Sequence, residues 1–406
     1  MNSLSHRVAQ RIFFHLCEKI EIGALIVKTS DGKELRFGRA DSPLVADMHI
    51  RSDDLYNEVL SQGDWGLGWG YVHKKWESED VKKVCLVFML NEYIFRPYVK
   101  LAMTASPWMQ KIISLYEKNQ STAESVRRRT ISECYDVGND FFEWMLGPTM
   151  AYTCAIWPRP DATLEEAQEN KFRIITEKAR IEPHHSVLDL GCGFGSLCSY
   201  IHEKTGARTK GITLSKEQIK WAQARYPKLD FEFQNYIHVK GTYDRIVSVG
   251  MGEHVGRQNF ASFLRLVSDR LKPGGRFVCH MMSCYDGLLM YSQDKRWTSF
   301  ASVVMPNGDV SSMTQVAQAA LKTGDLRILH TETYGIHYAR TGEEWLKNCR
   351  RHRDKIIRAY SEEFFRIYEY SWMMGSAAFE TGMTLLHVVF EKKPYGSDYR
   401  ESIVRW

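Results

Sequence analysis

The sequence predicts an α/β protein: a doubly wound parallel sheet with a helical lid, preceded by a small N-terminal α+β domain. Three observations carry this expectation. Val187, Leu188 and Leu190 form a short apolar run that breaks into a turn at Gly191, Gly193 and Gly195, followed by a helical stretch from Ser196 to Lys204. From Ile131 onward, short apolar runs alternate with helical periods, as in parallel strands joined by crossover helices. The first hundred or so residues have another style, one helical period followed by short strand-like runs around turn residues.

The composition sets bounds. A chain of 406 residues with 44% hydrophobic residues is expected to form two units with full cores. Lys and Arg exceed Asp and Glu by 54 to 49. That excess fits weak attraction to an anionic surface and is far too small to indicate nucleic acid. Nine cysteines without short paired spacing argue against a zinc site, so no metal is expected. Their odd number, with a polar Met1 to Gln10 lacking an apolar core, points to a reducing cytoplasm. No run approaches the roughly 18 apolar residues of a membrane-spanning helix, so a soluble or surface-bound protein is expected.

In chain order, His6 to Ile20 has helical spacing. Ile22 to Phe37 and Asp47 to Ile50 read as strands around Asp31-Gly32 and Pro43, and Asp53 to Gln62 as a helix. Gly63 to Tyr71, followed by Trp76, reads as a glycine-aromatic turn region of core residues, with an amphipathic face toward lipid or peptide as the alternative. The expected division is a domain over 1–105, a linker over 106–130 ending in Arg127, Arg128 and Arg129, and a catalytic domain over 131–406. The arginines read as a solvated linker helix or as a lipid-headgroup contact.

Within the last domain, a helix is expected over Leu164 to Arg180. Strands follow at Ser186 to Leu190, Ala207 to Ile212, Leu229 to Gln234 and Tyr243 to Val249. Next come a helix over Asn259 to Leu271, a turn at Lys272 to Gly275 and a fifth strand over Arg276 to Met281. Leu326 to Thr333 and Thr384 to Glu391 close the sheet as a last pair. The intervening Ser283 to Thr323 and Tyr338 to Met383 are too long for loops and read as the lid.

Several positions carry chemistry. Asp189 stands two residues before Gly191, and Asp-x-Gly-x-Gly-x-Gly is the order of class I methyltransferases that bind S-adenosylmethionine. Thr213 ends the second strand, where a dinucleotide-binding protein would show an acid. Ser215 with Gln218 is a helix-capping pair whatever binds nearby. Glu253 and His254 follow the fourth strand and His280 ends the fifth, at the carboxyl ends where open α/β sheets bind ligands. In isolation His280 would as often be a core histidine, Cys154 an inert small apolar residue and Tyr338 a core aromatic.

Longer segments carry a family resemblance: Tyr135-Asp-Val-Gly-Asn-Asp-Phe-Phe142, Met150-Ala-Tyr-Thr-Cys-Ala-Ile-Trp157, the Asp189 turn, Gly211-Ile-Thr-Leu-Ser-Lys-Glu-Gln218, Tyr243 to Gly256, and Leu271-Lys-Pro-Gly-Gly275. Over essentially its whole length the chain resembles bacterial cyclopropane-fatty-acid synthases. The resemblance implies a Rossmann-like class I methyltransferase domain and an N-terminal domain for phospholipid binding or dimer contact. The implied activity is transfer of a methylene unit from S-adenosylmethionine to a cis double bond of a phospholipid acyl chain. It further implies that Thr213 and Gln218 replace the missing ribose-binding acid. Tyr135, Gly138, Phe141, Tyr152 and Thr153 would cover the sulfonium end of the cofactor, or else form a packed helix-turn. Cys154, Glu253, His280 and Tyr338 would surround a bound bicarbonate acting as base.

The chemistry has its own demands. An isolated double bond is a weak nucleophile, so the sulfonium methyl must be held in line in a dry pocket. The resulting carbocation needs stabilisation, and a base must then remove a proton so that the ring closes. Bicarbonate beside a carboxylate requires a shared proton or a donor such as His280. Four positions depart from the family pattern. Gly252 replaces an aromatic residue and is expected to enlarge or loosen the pocket beside Glu253. Asn235 replaces an acid, so contact with the adenine amino group would use an amide oxygen. Met282 replaces a smaller branched residue, and Gly375 replaces a cysteine.

Alternatives stay open at this stage. One is a methyltransferase making a methyl-branched or methylated unsaturated fatty acid, or N-methylating a small amine. Another is a non-catalytic lipid-binding protein that keeps the fold. Peripheral attachment to a membrane is expected, with Lys347, Arg350, Arg351, Arg353 and Lys355 as a basic cluster that either meets headgroups or forms a solvated helical face. A homodimer is left open.

Overall fold

The computed structural model describes residues 4–95, 97, 137–285, 300–305 and 308–393. The linker expected over 106–130 and Tyr135 lie outside them. Packing divides the chain into two units, one of residues 1–127, 290–307 and 338–383, the other of 128–289, 308–337 and 384–406. This division is not sequential: Tyr338 to Met383, expected within the 131–406 domain, clusters with the N-terminal residues.

The first unit opens with α1 (Leu4–Cys17), β1 (Ala24–Lys28), β2 (Glu34–Gly38), β3 (Val45–Ile50), α2 (Asp54–Gln62), α3 (Asp64–Val72), β4 (Trp76–Glu77) and α4 (Val81–Leu90). Its sheet runs β2-β1-β3-β4, with β1 antiparallel to β2 and parallel to β3. Phe13, Tyr56 and Trp76 are fully buried in its core.

The glycine-aromatic stretch expected as a turn is the helix α3. Its glycines answer to packing and not to turning. A Cβ at Gly66 would lie 2.1 Å from the Glu58 carbonyl oxygen, one at Gly68 2.3 Å from the Phe300 ring and one at Gly70 2.4 Å from Leu55. Trp65 and Trp69 meet Phe300 edge-on, at 6.1 and 5.6 Å between centroids. In an open helix, glycine to alanine gains about 1 kcal/mol. Gly66→Ala is instead expected to lose about 1–3 kcal/mol, because a backbone carbonyl cannot yield as a side chain does. A rise in Tm for this variant would contradict the close approach.

The second unit comprises α5 (Asn139–Leu146), α6 (Leu164–Lys178), β5 (Ser186–Leu190), α7 (Ser196–Thr205), β6 (Arg208–Thr213), α8 (Lys216–Arg225), β7 (Asp230–Phe233), β8 (Tyr243–Val249), α9 (Gly252–Val255), α10 (Phe260–Arg270), β9 (Leu271–Cys284), β10 (Ser311–Ser312), α11 (Met313–Leu321), β11 (Leu326–Thr333) and β12 (Met383–Lys392). α6 begins with a capping box in which the Thr163 hydroxyl accepts from the Glu166 amide while the Glu166 carboxylate accepts from the Thr163 amide. The sheet runs β7-β6-β5-β8-β9-β12-β11, with β10 paired to β9. β5, β6, β7, β8 and β9 are mutually parallel where they pair, and β11 is antiparallel to β12.

Lys272 to Gly275, expected as a turn before the fifth strand, form a bulge inside β9: Tyr243 pairs with Leu271 and Arg245 with Arg276. Pro273 has no amide to give the ladder and Gly274 takes a φ of 73°, so these residues leave the pairing without ending the strand. From β5 the chain winds through β6 and β7 to one side, then returns through β8 and β9 on the other. The helices therefore leave the carboxyl ends of β5 and β8 in opposite directions, and that switch point is where an open α/β sheet forms its crevice.

Between β11 and β12 run α12 (Gly335–Arg351), α13 (Arg353–Ala359) and α14 (Glu362–Thr381). Tyr370, Met373, Met374 and Ala377 of α14 are buried in the first unit's core, the Tyr71 hydroxyl donates to Glu369 at 2.8 Å, and Lys82 pairs with both Glu343 and Glu380. These contacts explain why the segment joins the N-terminal residues. Most of the basic cluster here is matched by acids: Lys347 by Glu344, Arg350 by Glu369 and Arg353 by Glu362. No described helix is long and apolar enough to cross a membrane.

Candidate active site

The glycine turn closes β5 with left-handed backbone at Gly191, Gly193 and Gly195, at φ of 83°, 53° and 81°. Gly195 is also crowded, since a Cβ there would lie 2.6 Å from the Phe231 ring. At Gly193 the nearest atom would be Gln218 Nε2 at 3.9 Å, so backbone conformation alone calls for glycine there. Behind the turn Asp189 is buried, and burial pushes its carboxyl up to about 7. Its Oδ2 accepts from the Cys198 thiol at 3.6 Å, while Oδ1 has no hydrogen-bond partner within the protein.

The next strand end brings Thr213 and Gln218 together. The Thr213 hydroxyl donates to Gln218 Oε1 at 2.9 Å, and the Gln218 amide donates to Ser215 Oγ at 3.2 Å. The helix cap is therefore made, and the side-chain amide nitrogen of Gln218 stands next to Gly193. At the end of β7, Asn235 Oδ1 accepts from the Ile237 amide at 3.2 Å, and Nδ2 is buried with no partner. The amide oxygen expected for adenine is thus already engaged in a turn, and the group left over is a donor.

The segment before α6 folds against this turn. The Ser196 hydroxyl donates to the Thr149 carbonyl at 2.6 Å. Tyr152 meets Phe142 at 5.4 Å, and Phe142 meets Phe194 of the glycine turn at 5.7 Å. Gly138 is the N-cap of α5, the helix that carries Phe142. Lys171, fully buried, donates to Thr153 Oγ1 and to Gln168 Oε1, while Gln168 Nε2 donates to the carbonyls of Ala151 and Thr153. Burial pulls the Lys171 ammonium down to about 7, against the opposing pull of Cys154 and Asp189.

At the carboxyl end of β8, Gly250 donates its amide to the His280 carbonyl at 2.8 Å, which joins the ends of β8 and β9. Glu253, 2% exposed on the short helix α9, has its carboxyl raised by burial to about 7 although the backbone amides of Glu253 and Met282 act in the opposite direction. Its Oε2 has no hydrogen-bond partner within the protein. His254 is held down to about 4 by burial. A Cβ at Gly252 would lie 2.6 Å from the Met281 sulfur and 2.9 Å from the Met281 Cβ. Gly252 therefore does not loosen this wall as expected: the Met281 side chain fills the space beside it. Met282, the departure named from the sequence, is buried next to it.

His280 is fully buried, and its Nδ1 lies 3.2 Å from Nδ1 of His387 on β12. The Cys154 backbone lies against the same ring. The Cys154 thiol is buried and donates to the carbonyls of Ala155 and Tyr334, at 3.2 and 3.8 Å. One unit thus gathers Gly138, Tyr152, Thr153, Cys154, Asp189, the three glycines, Thr213, Gln218, Asn235, Glu253 and His280 around the carboxyl ends of its strands. Tyr338 belongs to the other unit, where it is buried and stacked on Phe379 at 4.4 Å. Gly375 lies there too, with nothing within 4 Å of a Cβ added to it.

Sequence reasoning passed over Lys171, Met281 and His387. Lys171 carried a faint signal, a lysine on the apolar face of an amphipathic helix. The other two carried none, because their partners lie on other elements. A further group of potential metal ligands, Glu182, His184 and His185, precedes β5, at the opposite end of that strand from the glycine turn, and Glu182 and His184 are exposed.

The sequence profile of the mycolic acid cyclopropane synthetase family matches residues 122–389. The chain is 32% identical over 356 residues to the cyclopropane-fatty-acyl-phospholipid synthase of Escherichia coli, covering 86% of this chain and 88% of that one. It is 32% identical over 305 residues to a probable fatty acid methyltransferase of Mycobacterium tuberculosis, covering 72% and 68% respectively. The crystal structure of the mycolic acid cyclopropane synthase CmaA1 complexed with SAH and CTAB superposes with a TM-score of 0.62 at 25% identity, covering 65% of this chain and 98% of that chain.

Proposed function

The chain belongs to the mycolic acid cyclopropane synthetase family of S-adenosylmethionine-dependent, lipid-modifying methyltransferases, and from that premise we propose that it adds a methylene unit to a cis double bond of a phospholipid acyl chain. The observation that carries the reading is Glu253, a buried carboxyl raised to about 7 just after β8, whose end is joined through the Gly250 amide to the end of β9 where His280 is buried. The residues at the cofactor half fit a nucleoside with a charged tail: a left-handed glycine turn that a Cβ would strain, and buried orphan atoms at Asn235 Nδ2 and Asp189 Oδ1.

Asp189, Gly191, Gly193, Gly195, Thr213, Gln218 and Asn235 would hold S-adenosylmethionine, with Gly138, Tyr152, Thr153 and, by resemblance, Tyr135 at its sulfonium end. When bound, it supplies an electrophilic methyl group. Tyr152 offers an aromatic face that excludes water and tolerates positive charge. Lys171 and Gln168 fix the Thr153 loop. Asn235 presents an N–H, which suits an acceptor nitrogen of a purine ring.

Cys154, Glu253 and His280 would hold a bicarbonate that serves as the base, and Tyr338 is assigned to it by the resemblance alone. At a pKa of about 7, Glu253 keeps a proton available at its carboxyl, so an anion alongside is not simply repelled. We assign the N-terminal unit to phospholipid engagement or dimer contact, and the protein to the cytoplasmic surface of a membrane. Glu344, Glu369 and Glu362 offset much of the basic cluster, which weakens the case for headgroup contact there.

A second reading, a methyl-branched or methylated unsaturated fatty acid, is favoured by the similarity to a fatty acid methyltransferase and by Met281 standing beside Glu253's helix. Lipids from a host expressing the chain and fed S-adenosylmethionine precursor carrying a CD3 methyl separate the two. The proposal expects chains that gain CD2 and lose their double bond. Labelled chains without a ring, saturated or still unsaturated, would favour the second reading, and label in a small amine would sink both.

A further inference from the structure

We propose that His387 is a positioning residue, which fixes the tautomer of His280 so that the His280 Nε2–H is presented as a hydrogen-bond donor to the anion of the site. The inference rests on the role assigned to His280 above. His280 on β9 and His387 on β12 occupy neighbouring strands of the sheet. Both rings are fully buried. They lie 5.5 Å apart between centroids at 76°, with the two Nδ1 atoms 3.2 Å apart. Neither Nε2 has a hydrogen-bond partner within the protein.

Two ring nitrogens at that distance share a single hydrogen, one donating and the other accepting. Two imidazolium rings would point hydrogens at each other, so the contact requires at least one neutral ring. Burial holds both neutral: His387 is pushed down to about 3 and His280 well below its ordinary value, with Lys178 of α6 acting on both in the same direction. Lys171 of α6 adds to this at His280, and Glu332 and His330 of β11 act on His387 in opposite senses.

A neutral imidazole carries one N–H, so the direction of the shared bond decides what each Nε2 is. If His280 donated, its Nε2 would be a bare lone pair, unable to hold an anion. If His387 donates, His280 accepts at Nδ1 and carries its hydrogen on Nε2. Only the second arrangement leaves a hydrogen on the His280 Nε2 that has no partner within the protein, so it is the one that offers the anion a donor. A group that orients an imidazole through its second nitrogen is a recurring device for setting which nitrogen meets the reactants.

The test reads the tautomer directly. Imidazole 15N shifts of His280 in the full chain, assigned with a His280→Asn sample, should show the Nε2–H form in the wild type; the Nδ1–H form would overturn the proposal whatever the variants do. His387→Leu should scramble the tautomer and lower kcat by about ten- to a hundredfold with KM for S-adenosylmethionine unchanged. His387→Gln keeps an N–H donor and should stay within about threefold of wild type. Equal rates for the Leu and Gln variants would also overturn it. A wild type with the Nε2–H form that modifies no lipid would instead count against the functional reading alone, and if His387→Leu fails to fold the wild-type tautomer decides.

Discussion

Replacing Glu253 with Gln is expected to lower lipid modification by about 10²–10⁴ in kcat while raising thermal stability above pH 7. The two effects share one cause, a carboxyl buried where its charge is costly. Its pKa is about 7 in the folded chain against an ordinary 4.5. Between those values the folded state holds a proton that the unfolded state has released. Stability from this group is therefore complete below about pH 4.5 and falls as pH rises through 7. Above pH 7 the cost approaches roughly 3 kcal/mol, which Gln cannot incur because it does not ionise. Asp189 shifts in the same direction but is present in both proteins, so it cancels. Melting at pH 5 and pH 8 should show most of the variant's gain at the higher pH, because pH 5 lies only slightly above the ordinary 4.5. A variant as active as wild type would remove Glu253 from the mechanism, and an equal gain at both pH values would refute the buried-charge account.

The second large effect concerns Gly252→Phe. An aromatic residue there needs the volume that Met281 occupies, since even the first side-chain carbon would come within 2.6 Å of the Met281 sulfur, 2.9 Å of its Cβ and 3.0 Å of its Cε. The sulfur and methyl can swing away, but the Cβ is tied to β9. We expect a loss of about 2–3 kcal/mol and displacement of Glu253, whose carbonyl accepts from the Asp309 amide at 2.9 Å. Met281→Ala alone should cost about 2–5 kcal/mol through the cavity it leaves. The double variant should be more stable than the sum of the singles, because each change supplies what the other lacks. Additive losses would show that the two positions do not share one space. Lipid product analysis on the double variant then tests whether this wall selects the acyl chain.

Much of the second unit was legible in the sequence because its signals are local. The strand–turn–helix at Ser186 to Thr205 follows from an apolar run and three glycines that accept left-handed backbone. The helix α6 follows from the amphipathic period expected over Leu164 to Arg180. The strand ends that carry Glu253 and His280 follow from counting alternating elements. In α3 local reading failed. Three glycines within five residues look like a turn, and only the presence of the Glu58 backbone, Phe300 and Leu55 shows that they clear space between packed elements. The segment from Tyr338 to Met383 reads as helical from its period, but the period does not say which core receives the apolar face.

The sequence by itself determined the doubly wound sheet, the glycine turn and the residue types that meet at the strand ends. Each depends on backbone preferences or periodicity within a few residues. Tertiary structure alone decided the pairings: Lys171 under Thr153, Met281 against Gly252, and His387 against His280 across 107 residues of chain. Those contacts arise from strand register and helix packing, which bring distant side chains into one dry space where a single hydrogen or a single methyl decides what the site can do.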